Sequence, residues 1–137
     1  MKARIALLGS LTIPGQPEHV AAARAFVART LGDDCPHTDT AVLLTSELVT
    51  NSLQHSNSCR DGGAITVTLI AISGGIRVEV IDEGGTSVPA QRPSPTEAPD
   101  LADDGRGLCL VQTLSARWNY ARDEAGTVTW FELAGAP

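Results

Sequence analysis

The chain has 137 residues, with ten Lys plus Arg against sixteen Asp plus Glu, a formal net charge of −6, 42% hydrophobic residues and 19% charged ones. That length fits one domain around a single core, and the acidic balance offers no basic cluster to neutralise several backbone phosphates, so direct nucleic-acid binding is not expected. The first residues, MKARIALLG, hold only a few apolar side chains and no run reaches the ~20 that span a bilayer, which makes a cytoplasmic protein without a membrane partner the expectation.

Arg4 to Gly9 read as a short first strand, and Ser10 to Pro17, with two prolines and a glycine, as the loop into a helix. Glu18 to Leu31 has helical spacing: Val20, Ala23, Val27 and Leu31 share a face with Phe26 beside them, while Arg24 and Arg29 reach water. Cys35 follows in the break Gly32 to His37; with Cys59 and Cys109 it makes an odd, widely spaced set, read as free thiols. Thr38 or Asp39 caps a second helix running to about Ser56, and Asp61-Gly62-Gly63 closes the linker after it.

Ile65-Val67-Leu69 and Ile76-Val78-Val80 alternate with period two and are joined by Ser73-Gly74-Gly75, a hairpin signal. From Gly84 to Gly105, prolines at 89, 93, 95 and 99 and acids at 97, 100, 103 and 104 exclude regular core structure, so residues 86–104 read as a lid loop. Leu108, Val111, Leu114 and Trp118 have helical spacing, with Gly107 close to that helix's start. A last strand is expected at Thr127 to Leu133, with Trp118 to Tyr120 as its hairpin partner through Asp123-Glu124-Ala125-Gly126. The sum is an α/β fold over residues 1–137. It is a two-layer sandwich whose mostly antiparallel mixed sheet is covered on one face by about three helices.

In the second helix Glu47, Asn51 and His55 stand at i, i+4 and i+8, within about 80° of one another at 100° per residue. With Glu47 at zero, Ala41, Thr45, Leu48, Val49 and Ser52 fall between about 100° and 200°, so the polar ridge borders the apolar face and looks into a cleft. A carboxylate followed one turn later by a carboxamide suits Mg-nucleotide chemistry. Asn51 offers a neutral oxygen to Mg²⁺, and Glu47 can polarise a hydroxyl or water that attacks a γ-phosphate. The same spacing also describes a hydrogen-bonded surface pair. His55 can meet a phosphate, cap nearby backbone or shape the pocket edge. Zinc is disfavoured, because Asn is a poor zinc ligand and no Cys is spaced to help.

The strand Ile76 to Ile81 ends in Asp82-Glu83-Gly84-Gly85, and the alternation turns Asp82 inward, where an acid needs a donor. An adenine amino group is one such donor, and the glycines let a flat base approach the backbone. A tight turn whose N–H groups meet the carboxylate is the other. Gly105-Arg106-Gly107-Leu108 opens the third helix, where backbone N–H groups converge on an anion at the favourable end of the helix dipole. Arg106 either adds a charge-assisted contact or faces solvent. Neither a P-loop nor a Rossmann glycine signature occurs in the chain.

The ordered set, a helix with Glu and Asn, a strand ending in Asp-x-Gly, a loop, then Gly-x-Gly at a helix start, resembles the histidine-kinase-like ATPase superfamily. Within it, TSELVTNSLQHS, VEVIDEGG, GRGLCLVQTLSARW and GTVTWFEL are similar to the bacterial anti-sigma-factor serine/threonine kinase branch and its stand-alone ATP-binding regulators, from about Glu18 to Leu133. The resemblance implies a Bergerat fold that holds ATP and Mg²⁺ between the helices and a lid. It places Glu47 as general base, Asn51 as Mg²⁺ ligand, Asp82 as the acceptor of the adenine amino group with Gly84 beside it, and Gly105 and Gly107 on the phosphate side. It further implies a protein serine/threonine kinase acting as an anti-sigma factor on an anti-anti-sigma partner, or sequestering a sigma factor, and frequently a homodimer. The alternative is an ATP-binding interaction module with little phosphotransfer.

Overall fold

The computed structural model describes residues 5–55, 63–82, 110–123 and 126–135. Five strands form one sheet: β1 (Ala6–Pro14), β2 (Ala64–Ile72), β3 (Gly75–Asp82), β4 (Arg117–Asp123) and β5 (Gly126–Ala134). Their spatial order is β1-β2-β3-β5-β4, and each neighbouring pair is antiparallel. Period-two alternation sends Ile13, Ile65, Val67, Leu69, Ile76, Val78, Val80, Phe131 and Leu133 to one face, where all are buried. Helices α1 (Val20–Leu31) and α2 (Thr38–His55) cover that face, α1 over β1 and β2, α2 beside it over β2 and β3. Residues 110–114 are helical as well, and Val111 is buried in the same core. The two-layer, antiparallel sandwich read from the sequence is the architecture found.

The first strand is longer than expected, running on through Pro14 where a loop from Ser10 was read. Leu11 and Ile13 keep the inward alternation, while Ser10 and Thr12 face outward and meet the hydroxyls of Thr68 and Thr66 at 3.3 Å and 2.9 Å. Pro14 is tolerated because it is the last residue of an edge strand, where a missing N–H breaks no ladder. Trp118 does not continue the third helix. The Ser115 N–H and hydroxyl both return to the Val111 carbonyl, Ala116 N–H pairs with Glu132 O, and Trp118 enters β4 opposite Phe131. Leu114 is accordingly exposed.

The β2–β3 turn is two residues, Ser73 and Gly74, between the pair Ile72 and Gly75. Gly74 has φ of 82°, which a side chain would disfavour. Gly75 is required by contact: a Cβ there would stand 2.0 Å from the Leu133 carbonyl oxygen. Before α2, the Thr38 hydroxyl donates to Gly32 O at 2.6 Å and the His37 carbonyl accepts from Ala41 N at 2.8 Å, which fixes the start of the helix that carries the polar ridge.

Candidate functional site

The polar ridge of α2 borders a buried face. Ala41, Thr45, Leu48, Val49 and Ser52 are all buried, and Leu44, about 60° from Glu47, extends that face to the foot of the ridge. Glu47 and Asn51 are half-buried at the boundary. His55 is the last residue of α2, and its side chain lies outside what the structure describes.

Where α2 lies along the sheet follows from its start. The His37 Nε2 atom lies 3.2 Å from where a Cβ on Gly135 would stand, and Gly135 N donates to Gly74 O at 2.6 Å, so α2 begins over the end of the sheet where β3 begins. Chain connectivity agrees: β1 ends opposite Ala64 at the far end, α1 returns from there, and its Phe26 and Thr30 side chains reach Gly9. Going forward from His37, Asn51 is about 21 Å along the helix at 1.5 Å per residue. Asp82 is about 23 Å from Gly75 along the strand at roughly 3.3 Å per residue. Glu47, Asn51 and Asp82 are thus carried to the same end of the sandwich by α2 and β3.

Asp82 is 9% exposed. Its Oδ1 accepts the backbone N–H of Thr127, its cross-strand partner in β5, at 3.3 Å. The inward acid is thus buried and meets a main-chain donor, the N–H of Thr127 in β5. Thr127 was not singled out as a site residue in the sequence, since its place opposite Asp82 depends on β3 pairing with β5 across 45 residues. Gly84, Gly105, Arg106, Gly107, Leu108 and the lid at 86–104 lie outside the described residues. Cys35 is a free, buried thiol, and Cys59 and Cys109 are likewise outside them. Among the described residues no helix is long and apolar enough to cross a membrane.

Helices on one face of an antiparallel sheet, with a carboxylate and a carboxamide one turn apart at the end where a buried aspartate closes a central strand, define an ATP-binding domain of the kinase-related class. The chain belongs to the histidine kinase-like ATPase domain family, whose model matches residues 13–133. Among solved structures, the RsbU and RsbW domains of Rv1364c from Mycobacterium tuberculosis match with a TM-score of 0.59 at 19% identity, over 92% of this chain and 32% of that one. That likeness is one of fold. The histidine kinase domain of the blue-light activated histidine kinase from Erythrobacter litoralis EL346 matches with a TM-score of 0.58 at 27% identity, over 88% of this chain and 65% of that one. The chain thus spans about a third of the first and just under two thirds of the second. No curated protein matches it.

Proposed function

We propose that this chain is an ATP- and Mg²⁺-dependent protein serine/threonine kinase that acts as an anti-sigma regulatory factor on an anti-anti-sigma partner. The observation that carries the reading is the placement of half-buried Glu47 and Asn51 on α2 at the end of the sheet where buried Asp82 stands. The similar domain from Erythrobacter litoralis is a histidine kinase domain, which supports ATP serving as a phosphoryl donor. The protein acceptor and the anti-sigma role rest on the motif resemblance.

The residues present suit the proposed ligands. Asp82 supplies a buried acceptor for the adenine amino group, and the Asn51 carboxamide oxygen is a neutral hard ligand of the kind Mg²⁺ takes alongside phosphate and water. When bound, Mg²⁺ would neutralise phosphate charge as it shifts in phosphoryl transfer. Glu47, one turn before Asn51 on the rim, orients the partner's serine or threonine hydroxyl and accepts its proton. His55 and the Gly105-Arg106-Gly107-Leu108 turn complete the proposed nucleotide contacts, with residues 86–104 as the lid. The partner is the anti-anti-sigma protein, a sigma factor or both, and the proposed assembly is a homodimer.

Calorimetric titration with ATP, with and without Mg²⁺, tests the nucleotide site. Incubation with γ-labelled ATP and a purified anti-anti-sigma partner tests the transfer. Label on the partner supports the kinase; a stable complex that stays unlabelled replaces it with the ATP-gated binding module.

A further inference from the structure

We propose that the helix-free face of the sheet is where two copies of this chain meet, face to face about a two-fold axis. The inference rests on the homodimer reading above and deepens it by giving the dimer a surface; it does not depend on the ATP site. Cross-strand register lays the face out. From β1 to β4 one row reads Leu7, Ile70, Arg77, Glu132 and Arg117, and the next reads Ser10, Thr68, Glu79, Trp130 and Asn119. Leu7 belongs to this face because of an irregularity in β1. Gly9 turns toward Phe26 in the helix layer, and the bulge between Leu7 and Gly9 breaks the period of two, so Leu7 pairs with Ile70 and points away from the helices. Leu7 is 67% exposed, and Ile5, just before the strand, is 73% exposed.

The polar groups of the face are spent on one another. Arg77 meets Glu79 at 2.9 Å and Glu132 at 3.1 Å, Arg117 meets Glu132 at 2.9 Å, and the hydroxyls of Ser10 and Thr12 pair with those of Thr68 and Thr66. The Arg77 guanidinium also stacks 3.9 Å from the Trp130 ring centre. Groups that already have partners lose little when water leaves. Among them Ile70, Ile81 and Trp130 are only half-buried, so they and Leu7 have apolar surface still to remove from water.

Charge selects the occupant. The two arginines and two glutamates of these rows cancel, in a chain whose net charge is −6. That net charge opposes the approach of a second copy except where the meeting surface is neutral. Both signs stand side by side in one patch, which is therefore able to complement itself, as a two-fold contact requires. Stacked sheets of this kind lie about 10 Å apart, with the side chains of the two faces interdigitated.

The test is sedimentation equilibrium of the nucleotide-free wild type, Leu7→Glu, Thr68→Lys and Leu114→Glu, with circular dichroism to show that each is folded. Wild type is expected to sediment at twice the 14.3 kDa of one chain, with a dissociation constant of about 10 μM or tighter. Leu7→Glu and Thr68→Lys each place a new charge at the contact, twice per dimer, and are expected to weaken it about 10-fold or more. Leu114→Glu makes the same change as Leu7→Glu at an exposed leucine of the helix layer and is expected to leave the constant within about twofold. Wild type that stays monomeric at about 100 μM overturns the homodimer and the face together. A dimer that both face variants keep overturns the face alone. Loss in Leu7→Glu with Thr68→Lys like wild type assigns the contact to the β1 edge and overturns the face-to-face form, and equal loss in Leu114→Glu overturns it as well. None of these outcomes touches the ATP titrations.

Discussion

The Asp82 carboxylate accepts the Thr127 N–H at 3.3 Å across the β3–β5 ladder, so the one acid buried on the helix side among the described residues is anchored by main chain at the end of a central strand. Anchoring by a backbone donor fixes the position of the carboxylate at the end of the strand. Asp82→Asn keeps an oxygen for Thr127 and the same volume, yet it substitutes an NH₂ that opposes the adenine amino group. ATP affinity is expected to fall about 10- to 100-fold, roughly 1.5–3 kcal/mol for a hydrogen bond to a charged group. The unfolding midpoint should move by only a few degrees. Titration calorimetry beside thermal unfolding separates the two, and a variant that binds ATP like wild type removes Asp82 from the base pocket.

Glu47 and Asn51 share the rim of α2 but are assigned different tasks, and their substitutions should part accordingly. Asn51→Ala is expected to bind ATP equally with and without Mg²⁺, because the difference between the two titrations is the metal's contribution. Glu47→Gln should bind Mg-ATP within about threefold of wild type while the rate of partner labelling falls 10²- to 10⁴-fold, the usual worth of a general base. Labelling by Glu47→Gln at the wild-type rate ends the base assignment.

Much of this arrangement is legible in the sequence because it is local. The 3.6-residue period of α2 places Glu47 and Asn51 beside the buried face, and period-two alternation turns Asp82 inward before any strand is paired. What is not local is harder to read. Pro14 looks like a break until β1 is known to be an edge, and Trp118 fits a helical stripe until Ala116 is seen to pair with Glu132. Thr127 gains its part only through pairing with Asp82.

Gly75 offers a test of the frame that is independent of the ligand. A methyl group there would meet the Leu133 carbonyl oxygen, an atom held in the β3–β5 ladder and unable to swing away as a side chain would. Gly75→Ala must therefore separate two central strands at the end where α2 begins. The expected cost is about 2–4 kcal/mol, in the range of overpacked cores and lost ladder bonds, or roughly 6–15 °C in the midpoint for a domain of this size. Thermal unfolding checks it, and a midpoint within about 2 °C of wild type shows that the strands accommodate a side chain at this contact.

The helix-free face of the sheet should confer a distinct dependence on pH. Glu132 accepts from Arg117 Nε at 2.9 Å and from Arg77 Nη1 at 3.1 Å, and the Arg77 guanidinium lies 3.9 Å from the Trp130 ring centre. Burial by itself would raise the Glu132 carboxyl, but the hydrogen bonds and charges of Arg117 and Arg77 outweigh it and hold the group below the ordinary glutamate value. A carboxyl lowered in the folded state stabilises the fold above its unfolded pKa, near 4.3, and loses that contribution as pH falls through the folded value. Glu132→Gln should therefore be less stable than wild type by about 1–2 kcal/mol, a gap constant from pH 7 to about 5 that narrows below about pH 4. Urea unfolding of both proteins across that range measures it. A gap that stays unchanged down to pH 3 would mean that the ionised carboxylate is not what ties β3, β5 and β4 together on this face.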